Sequence, residues 1–282
     1  MKPVTKKILI ISTCFIGAGV LLTCAGIAAG GWPGFEITRN GLRSAATQRQ
    51  PYILEKTQIE NFSELDINIG SEADIILKPS GNDHFYLEYT LDGDYEEPSY
   101  GISDGTFHFT QGSAGTAING IYFFGPGRLS KDIDPEIRLY IPESAQLSDM
   151  NIYNDYGNLS IQQVTAGNAD IQADYGDIDL TDSAFASAAI TLSAGDFEAD
   201  SSTIDELTYI NEYGDSTLLL HDPLEEYTFD LKTEYGVINV PLSAPGRLDA
   251  SDIAEMSYTS QADGDKMIEF IAESGDIEVK SS

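Results

Sequence analysis

A glycine turn recurs every 19 residues along the second half of the chain, and this period limits the fold more than any other feature. It stands at Asp155-Tyr156-Gly157-Asn158, Asp174-Tyr175-Gly176-Asp177, Ser193-Ala194-Gly195-Asp196, Glu212-Tyr213-Gly214-Asp215, Glu234-Tyr235-Gly236-Val237 and Glu273-Ser274-Gly275-Asp276. Successive glycines lie 19, 19, 19, 22 and 39 residues apart. The last interval is close to two periods, which predicts a degenerate repeat near Ala254–Tyr258 that has lost its glycine.

Fixed positions around each glycine carry the same kind of side chain. Five residues before it stand Ile152, Ile171, Ile190, Tyr209, Leu231 and Phe270. Two after it stand Leu159, Ile178, Phe197, Ser216, Ile238 and Ile277, and four after it Ile161, Leu180, Ala199, Leu218, Val240 and Val279. Ser216 is the one polar residue of the set. Polar residues such as Asp179, Glu198, Asn239 and Glu278 fall between them, so the strands alternate inside and outside. A 19-residue period holds two short strands and two corners, too little for a strand–helix–strand crossover. The expected fold class is all-β: a β-solenoid of about 19 residues per coil, its apolar columns stacked into one core. A flat antiparallel meander is the alternative; it would reverse direction at each turn and stack identical columns less well.

Earlier segments also read as strands: Leu65–Ile69, Asp74–Leu77, Phe85–Tyr89, Thr106–Thr110 and Glu136–Ile141. The Gly-rich stretch 111–127, with Phe123 and Phe124 in it, reads as an extended loop. Residues 51–282 form the expected strand-repeat domain, and residues 32–50 a stalk.

Residues 1–31 give the address. Lys2, Lys6 and Lys7 precede a run with no charged residue until Glu36. A membrane-spanning helix needs about 20 apolar residues, which Ile8 to Gly30 supply. The lysines place the N-terminus in the cytoplasm and the bulk of the chain outside, and Trp32 suits the outer interface. Retention as a single-pass signal-anchor fits the length of the run, since a cleaved signal has an apolar region of about 7–15 residues. Cleavage near Ala25, Ala28 and Ala29, or lipidation at Cys24 after Leu21-Leu22-Thr23, are the other readings. The chain ends at Lys280-Ser281-Ser282 without an LPxTG signal or a second apolar span, which confines its expected reach to the membrane–wall space.

Charge then narrows the partners. With 15 Lys and Arg against 46 Asp and Glu, the net charge is −31. Nucleic acid and anionic lipid headgroups both need clustered cations and are excluded. Cys14 and Cys24, the only cysteines, lie in the apolar run, so neither a disulfide framework nor a Cys-based metal site is expected.

These features together resemble a bacterial β-strand-repeat family of unknown function whose members are labelled adhesins and include LiaG-like envelope proteins. The Lys-rich anchor, the Ile69–Ile75 strand, the Glu136–Pro142 strand ending in Ile-Pro and the Tyr/Ser-Gly-Asp repeats carry the likeness over roughly residues 50–280. The resemblance implies an extracytoplasmic solenoid and brings no catalytic residues. The Gly112–Gly127 insertion departs from the family pattern in length and composition.

No catalytic constellation is read. His84, His108 and His221 each stand without ligand spacing, and no nucleophile elbow occurs. A polysaccharide-lyase groove would want cations, and the repeats offer only Lys232, Arg247 and Lys266. The expected function is non-catalytic: a membrane-anchored, adhesin-like interaction protein with a membrane-protein or cell-wall glycan partner. The alternatives are an accessory of envelope-stress sensing and a carbohydrate-active enzyme. No cofactor is expected, with one exception. The acidic corners could bridge Ca²⁺ through hard carboxylate oxygens, with Asp155, Asp174, Asp177, Asp196, Glu212 and Asp215 as candidate ligands; a solvated acidic edge is the plain alternative. Tyr156, Tyr175, Tyr213 and Tyr235 form a further column, readable as a packing ladder or as a platform for sugars.

Overall fold

The computed structural model describes residues 12–13, 15–22, 24–25, 35–38, 41–44, 50–93, 95–112, 133–241, 246–250, 255–260 and 264–281. They fall in two compact units, the first within residues 1–50 and the second in 51–113 and 133–282.

In the first unit, the described residues between 12 and 25 are helical. Among the described residues no helix is long and apolar enough to cross a membrane; the apolar run read from the sequence continues into residues 8–11 and 26–30, outside them. Within the span read as a stalk, β1 (Phe35–Thr38) pairs antiparallel with β2 (Gly41–Ser44). The Gly-rich loop beyond residue 112 also lies outside the described residues.

Among its described residues the second unit is all-β apart from one 3-10 turn, Leu224–Glu226. It opens with β3 (Tyr52–Ile59), β4 (Glu64–Glu72), β5 (Asp74–Pro79), β6 (Phe85–Leu91), β7 (Ser99–Ser103), β8 (Thr106–Gln111) and β9 (Glu136–Ile141). The repeats follow as β10 (Leu147–Tyr156), β11 (Leu159–Gln162), β12 (Thr165–Tyr175), β13 (Ile178–Thr181), β14 (Ala184–Ala194), β15 (Phe197–Tyr213) and β16 (Ser216–Leu220). Last come β17 (Tyr227–Tyr235), β18 (Ile238–Asn239), β19 (Gly246–Ala250), β20 (Met256–Ser260), β21 (Lys266–Ser274) and β22 (Ile277–Ser281).

Each repeat sends a long strand into one sheet, turns at its glycine and sends a short strand into a second sheet. Neighbouring repeats pair parallel with a register of 19 residues: Ile152 meets Ile171, which meets Ile190, which meets Tyr209. In the other sheet Leu159, Ile178, Phe197 and Ser216 align in the same way. Parallel pairing excludes the antiparallel meander for these repeats. The inward column of the long-strand sheet runs Phe109, Ile67, Ile152, Ile171, Ile190, Tyr209, Phe270, Leu231, and all eight are buried. Such a side chain contributes about 1.5–3 kcal/mol on burial, so the columns are the main source of cohesion.

Order in space departs from order in sequence at both ends. β4 and β5 lie between β8/β9 on one side and β10/β11 on the other. At the far end β21 and β22, the last strands of the chain, sit between β15/β16 and β17/β18. The expected degenerate repeat near Ala254–Tyr258 is therefore corrected. Met256–Ser260 is β20, antiparallel to both β17 and β19. After β18 the chain leaves the stack, forms this pair against β17, and returns to fill a slot one strand wide. Antiparallel strands also close the opposite end, with β7 on β8 and β3–β6 on β9, which shields parallel edges from pairing with other chains.

Candidate functional site

The glycine corners build the most regular outward surface. Gly157, Gly176, Gly195, Gly214 and Gly275 have φ between 126° and 149°, a region that L side chains avoid. A Cβ on Gly195 would stand 2.1 Å from the carbonyl oxygen of Gly176, and one on Gly275 1.9 Å from that of Gly214. Each corner thus nests directly on the corner beneath.

The residue after the glycine, acidic at four of the six corners, completes the joint. Asp177 Oδ1 accepts the backbone N–H of Asp196 at 2.9 Å, Asp196 Oδ1 that of Asp215 at 2.8 Å, and Asp215 Oδ1 that of Asp276 at 2.9 Å. Asn158 does the same for Asp177, and Asp276 for Val237. From inside, Asn211 Nδ2 donates to the carbonyls of Gly195 and Gly214. Three of the six Ca²⁺ candidates (Asp177, Asp196, Asp215) are thereby engaged in holding neighbouring repeats together. The other three, Asp155, Asp174 and Glu212, stand two residues before their glycines. There Asp155 and Asp174 are neighbours, and burial together with the Asp174 charge raises the Asp155 carboxyl above its usual range. Asp174 accepts the Tyr153 hydroxyl at 3.2 Å. Ser193 stands at this position in the repeat between Asp174 and Glu212. Among the described residues no group of three or more His, Cys, Asp or Glu is arranged to hold a metal.

One residue before the glycine, the side chains point to solvent. Tyr156, Tyr175, Tyr213 and Tyr235 are 47–58% exposed. Their order along the stack is Tyr156, Tyr175, Ala194, Tyr213, Ser274, Tyr235. Tyr156 and Tyr175 stack face to face, 5.0 Å apart and 6° from parallel. Ala194 and Ser274 interrupt the column beyond them, so the packing-ladder reading holds for that single pair. Beside the column, Ile210, Ile271, Glu212, Glu234, Glu273 and Lys232 border a shallow concavity of about 690 Å³. On the outer face of the short-strand sheet Asp179 and Glu198 are in-register neighbours, and burial, then the Glu198 charge, raises the Asp179 carboxyl.

Histidine offers no cluster: His108 Nδ1 lies 2.9 Å from Asp66 Oδ2, a cross-strand pair between β8 and β4. Sequence reasoning counted Lys266 among the three cations of the repeats and missed its partners. Its ammonium pairs with Asp222, lies 3.4 Å from Asp205 and 3.8 Å from Glu226, and stands over the Tyr227 ring at 5.4 Å. It also missed Lys56, whose ammonium lies over the rings of Tyr140 at 3.7 Å and Tyr86 at 4.7 Å. Neither lysine sits in a repeating position, so no period could have singled it out.

A candidate cell adhesion protein from Clostridium sporogenes is 13% identical, with 83% of this chain and 100% of that one covered at a TM-score of 0.41. A candidate adhesin from Bacteroides fragilis is 14% identical (83% and 98% covered, TM-score 0.41). A candidate lipid binding protein from Parabacteroides distasonis is 12% identical (83% and 95% covered, TM-score 0.35). No curated protein matches. The Toastrack DUF4097 family profile matches residues 62–219 and 157–280, in agreement with the strand-repeat resemblance read from the residues. The chain belongs to the Toastrack DUF4097 family.

Proposed function

We propose that this Toastrack protein is a membrane-anchored, extracytoplasmic interaction protein of the bacterial envelope, adhesin-like and non-catalytic, whose domain is a β-solenoid. One observation carries the reading: a column of exposed tyrosines runs along a stack of interlocked corners, flanked by carboxylates. Rigid backing and outward aromatic side chains suit recognition, because aromatic rings bring large contact area at low entropic cost. The parallel 19-residue register of β10, β12, β14 and β15 supports the solenoid. The anchor is supported by Phe15, Ile16, Val20, Leu21 and Leu22, which are 57–76% exposed on helical residues. Apolar side chains on every side of a helix suit lipid. Lys2, Lys6 and Lys7 set its orientation.

The test is a photo-crosslinking amino acid placed in turn at Tyr175 and Tyr213 of the full chain in living cells. The reading expects a discrete adduct at both positions and none from Glu60, an exposed residue away from the column. An integral membrane protein in the adduct points to a sensing accessory, and a wall polymer to an adhesin proper. Equal labelling from all three positions would remove the reading. Calcium belongs to this reading as a bridge between neighbouring carboxylates. It expects the melting temperature to rise in millimolar Ca²⁺, and an unchanged melting temperature removes the ion.

A further inference from the structure

Neighbouring parallel strands lie about 4.8 Å apart, so side chains two strands apart are about 9.6 Å apart. In the tyrosine column that is the distance from Tyr175 to Tyr213 across Ala194, and from Tyr213 to Tyr235 across Ser274. Tyr156 and Tyr175 illustrate the filled case, with rings at the strand spacing. Ala194 and Ser274 therefore floor two open slots, each walled by tyrosines, and the slots repeat every 9.6 Å or so.

That pitch discriminates among peptide conformations. A polyproline II helix has three residues per turn and rises about 3.1 Å per residue, so the same face returns every 9.3 Å or so. An extended strand returns a side chain to the same face about every 6.7 Å, and an α-helix turns about every 5.4 Å. Only the first places a side chain in both slots without distortion. Charge adds the second constraint. Asp174 and Glu212, each one residue before its tyrosine, flank the first slot, and Glu212, Glu273 and Glu234 the second. The concavity beside the second slot adds Ile210 and Ile271 as an apolar floor. Its single cation, Lys232, is occupied by Asp230 at 3.1 Å. Aromatic walls with acidic flanks suit a proline-rich strand carrying Lys or Arg, which gains cation–π contact as well as ion pairing.

We propose that the Tyr175–Tyr235 stretch docks a basic, proline-rich segment of a partner protein in the polyproline II conformation, seating every third residue in a slot. The inference rests on the interaction reading above and names the chemistry of its partner.

The test is fluorescence anisotropy with the full chain in detergent micelles and labelled Pro-Pro-Arg repeats of about nine residues, long enough at 3.1 Å per residue to span the column. Gly-Gly-Arg repeats of equal charge are the comparison, since they lack the stiff conformation. Ala194→Tyr fills the first slot and continues the tyrosine stack. The expected result is saturable binding of the proline peptide, at least about tenfold weaker binding of the glycine peptide, and about tenfold loss in the Ala194→Tyr chain with its melting temperature kept or raised. Equal binding of both peptides, or unchanged affinity in the Ala194→Tyr chain, overturns the proposal in favour of plain charge attraction. If the peptides fail while Tyr175 and Tyr213 still crosslink a partner in cells, the docking chemistry falls and the interaction reading stands. Failure of both assays removes both.

Discussion

At Gly195 the carbonyl oxygen of Gly176 occupies the space a Cβ would need, and φ is 149°. Gly195→Ala is therefore expected to cost roughly 3–5 kcal/mol, read as a lower denaturant midpoint. The opposite corner carries the reverse mismatch. Gln163, Asp182 and Ser201 hold φ near 50° with ordinary side chains. Left-handed backbone costs such residues about 1–2 kcal/mol, partly offset by glycine's greater entropy loss. Ser201→Gly should stabilise by about 0.5 kcal/mol, and a loss of stability would refute the strain account. The same logic explains Ser216, the one polar residue in the inward columns. It lies beside the buried Tyr209 hydroxyl, and neither hydroxyl has a well-aligned hydrogen bond. Burial pushes the Tyr209 phenol far above its ordinary pKa. A tyrosine in place of isoleucine needs room, and the small serine supplies it.

Among the elements, β21 and β22 depend most on their neighbours. They fill the slot between β15/β16 and β17/β18, and Lys266 clasps both walls through Asp205 in β15 and Tyr227 in β17. Lys266→Met should destabilise by about 1–3 kcal/mol, with amide exchange rising first in β21, β22 and β17. Uniform exchange across the domain would contradict the clasp. Hydrogen bonding to Lys266 holds the Asp222 carboxyl below its usual range. Its contribution is present above the unfolded carboxylate range and is lost as pH falls through the lower folded value. The strands themselves were legible in the sequence, because inward residues recur at fixed offsets from each glycine. Their neighbours were not. A glycine interval of 39 residues looks like two periods with one glycine missing, whereas the chain spends that length on the antiparallel pair β19–β20 and an inserted repeat. Local pattern encodes which face of a strand is buried, and not which strand lies beside it. The second tyrosine slot was hidden for the same reason: in sequence Tyr213 and Tyr235 are consecutive, and in space Ser274 separates them, whereas the first, at Ala194, follows sequence order.

For the whole molecule, a net charge of −31 sets the response to solvent. Like charges one strand spacing apart repel by on the order of 1 kcal/mol in water before screening. Asp155 and Asp179 carry raised pKa values, through burial first and then a neighbouring carboxylate. The folded state thus holds their protons more tightly than the unfolded state. Their destabilising effect is full at neutral pH and is relieved as pH falls toward the ordinary carboxylate range of about 4. Asp222, shifted the other way, stays ionised over that interval. The melting temperature should accordingly rise as pH is lowered from 7 toward the ordinary carboxylate range of about 4, and rise with salt at pH 7. Asp179→Asn should raise it at pH 7 and reduce the pH effect.

The second slot of the proposed docking surface exists only if the last strands of the chain lie between two earlier repeats, so strand order is the central claim. Thr208 in β15 is the register partner of Glu269 in β21, which is in turn the partner of Asp230 in β17. Adjacent strands bring Cα atoms within the roughly 4.4–6.8 Å that a disulfide spans, and alternate strands do not. In a chain with Cys14 and Cys24 replaced by serine, cysteines at 208 and 269 should form a disulfide under mild oxidation, and cysteines at 208 and 230 should not. A disulfide between 208 and 230, with none between 208 and 269, would mean that the repeats stack in sequence order and that the second tyrosine slot does not exist.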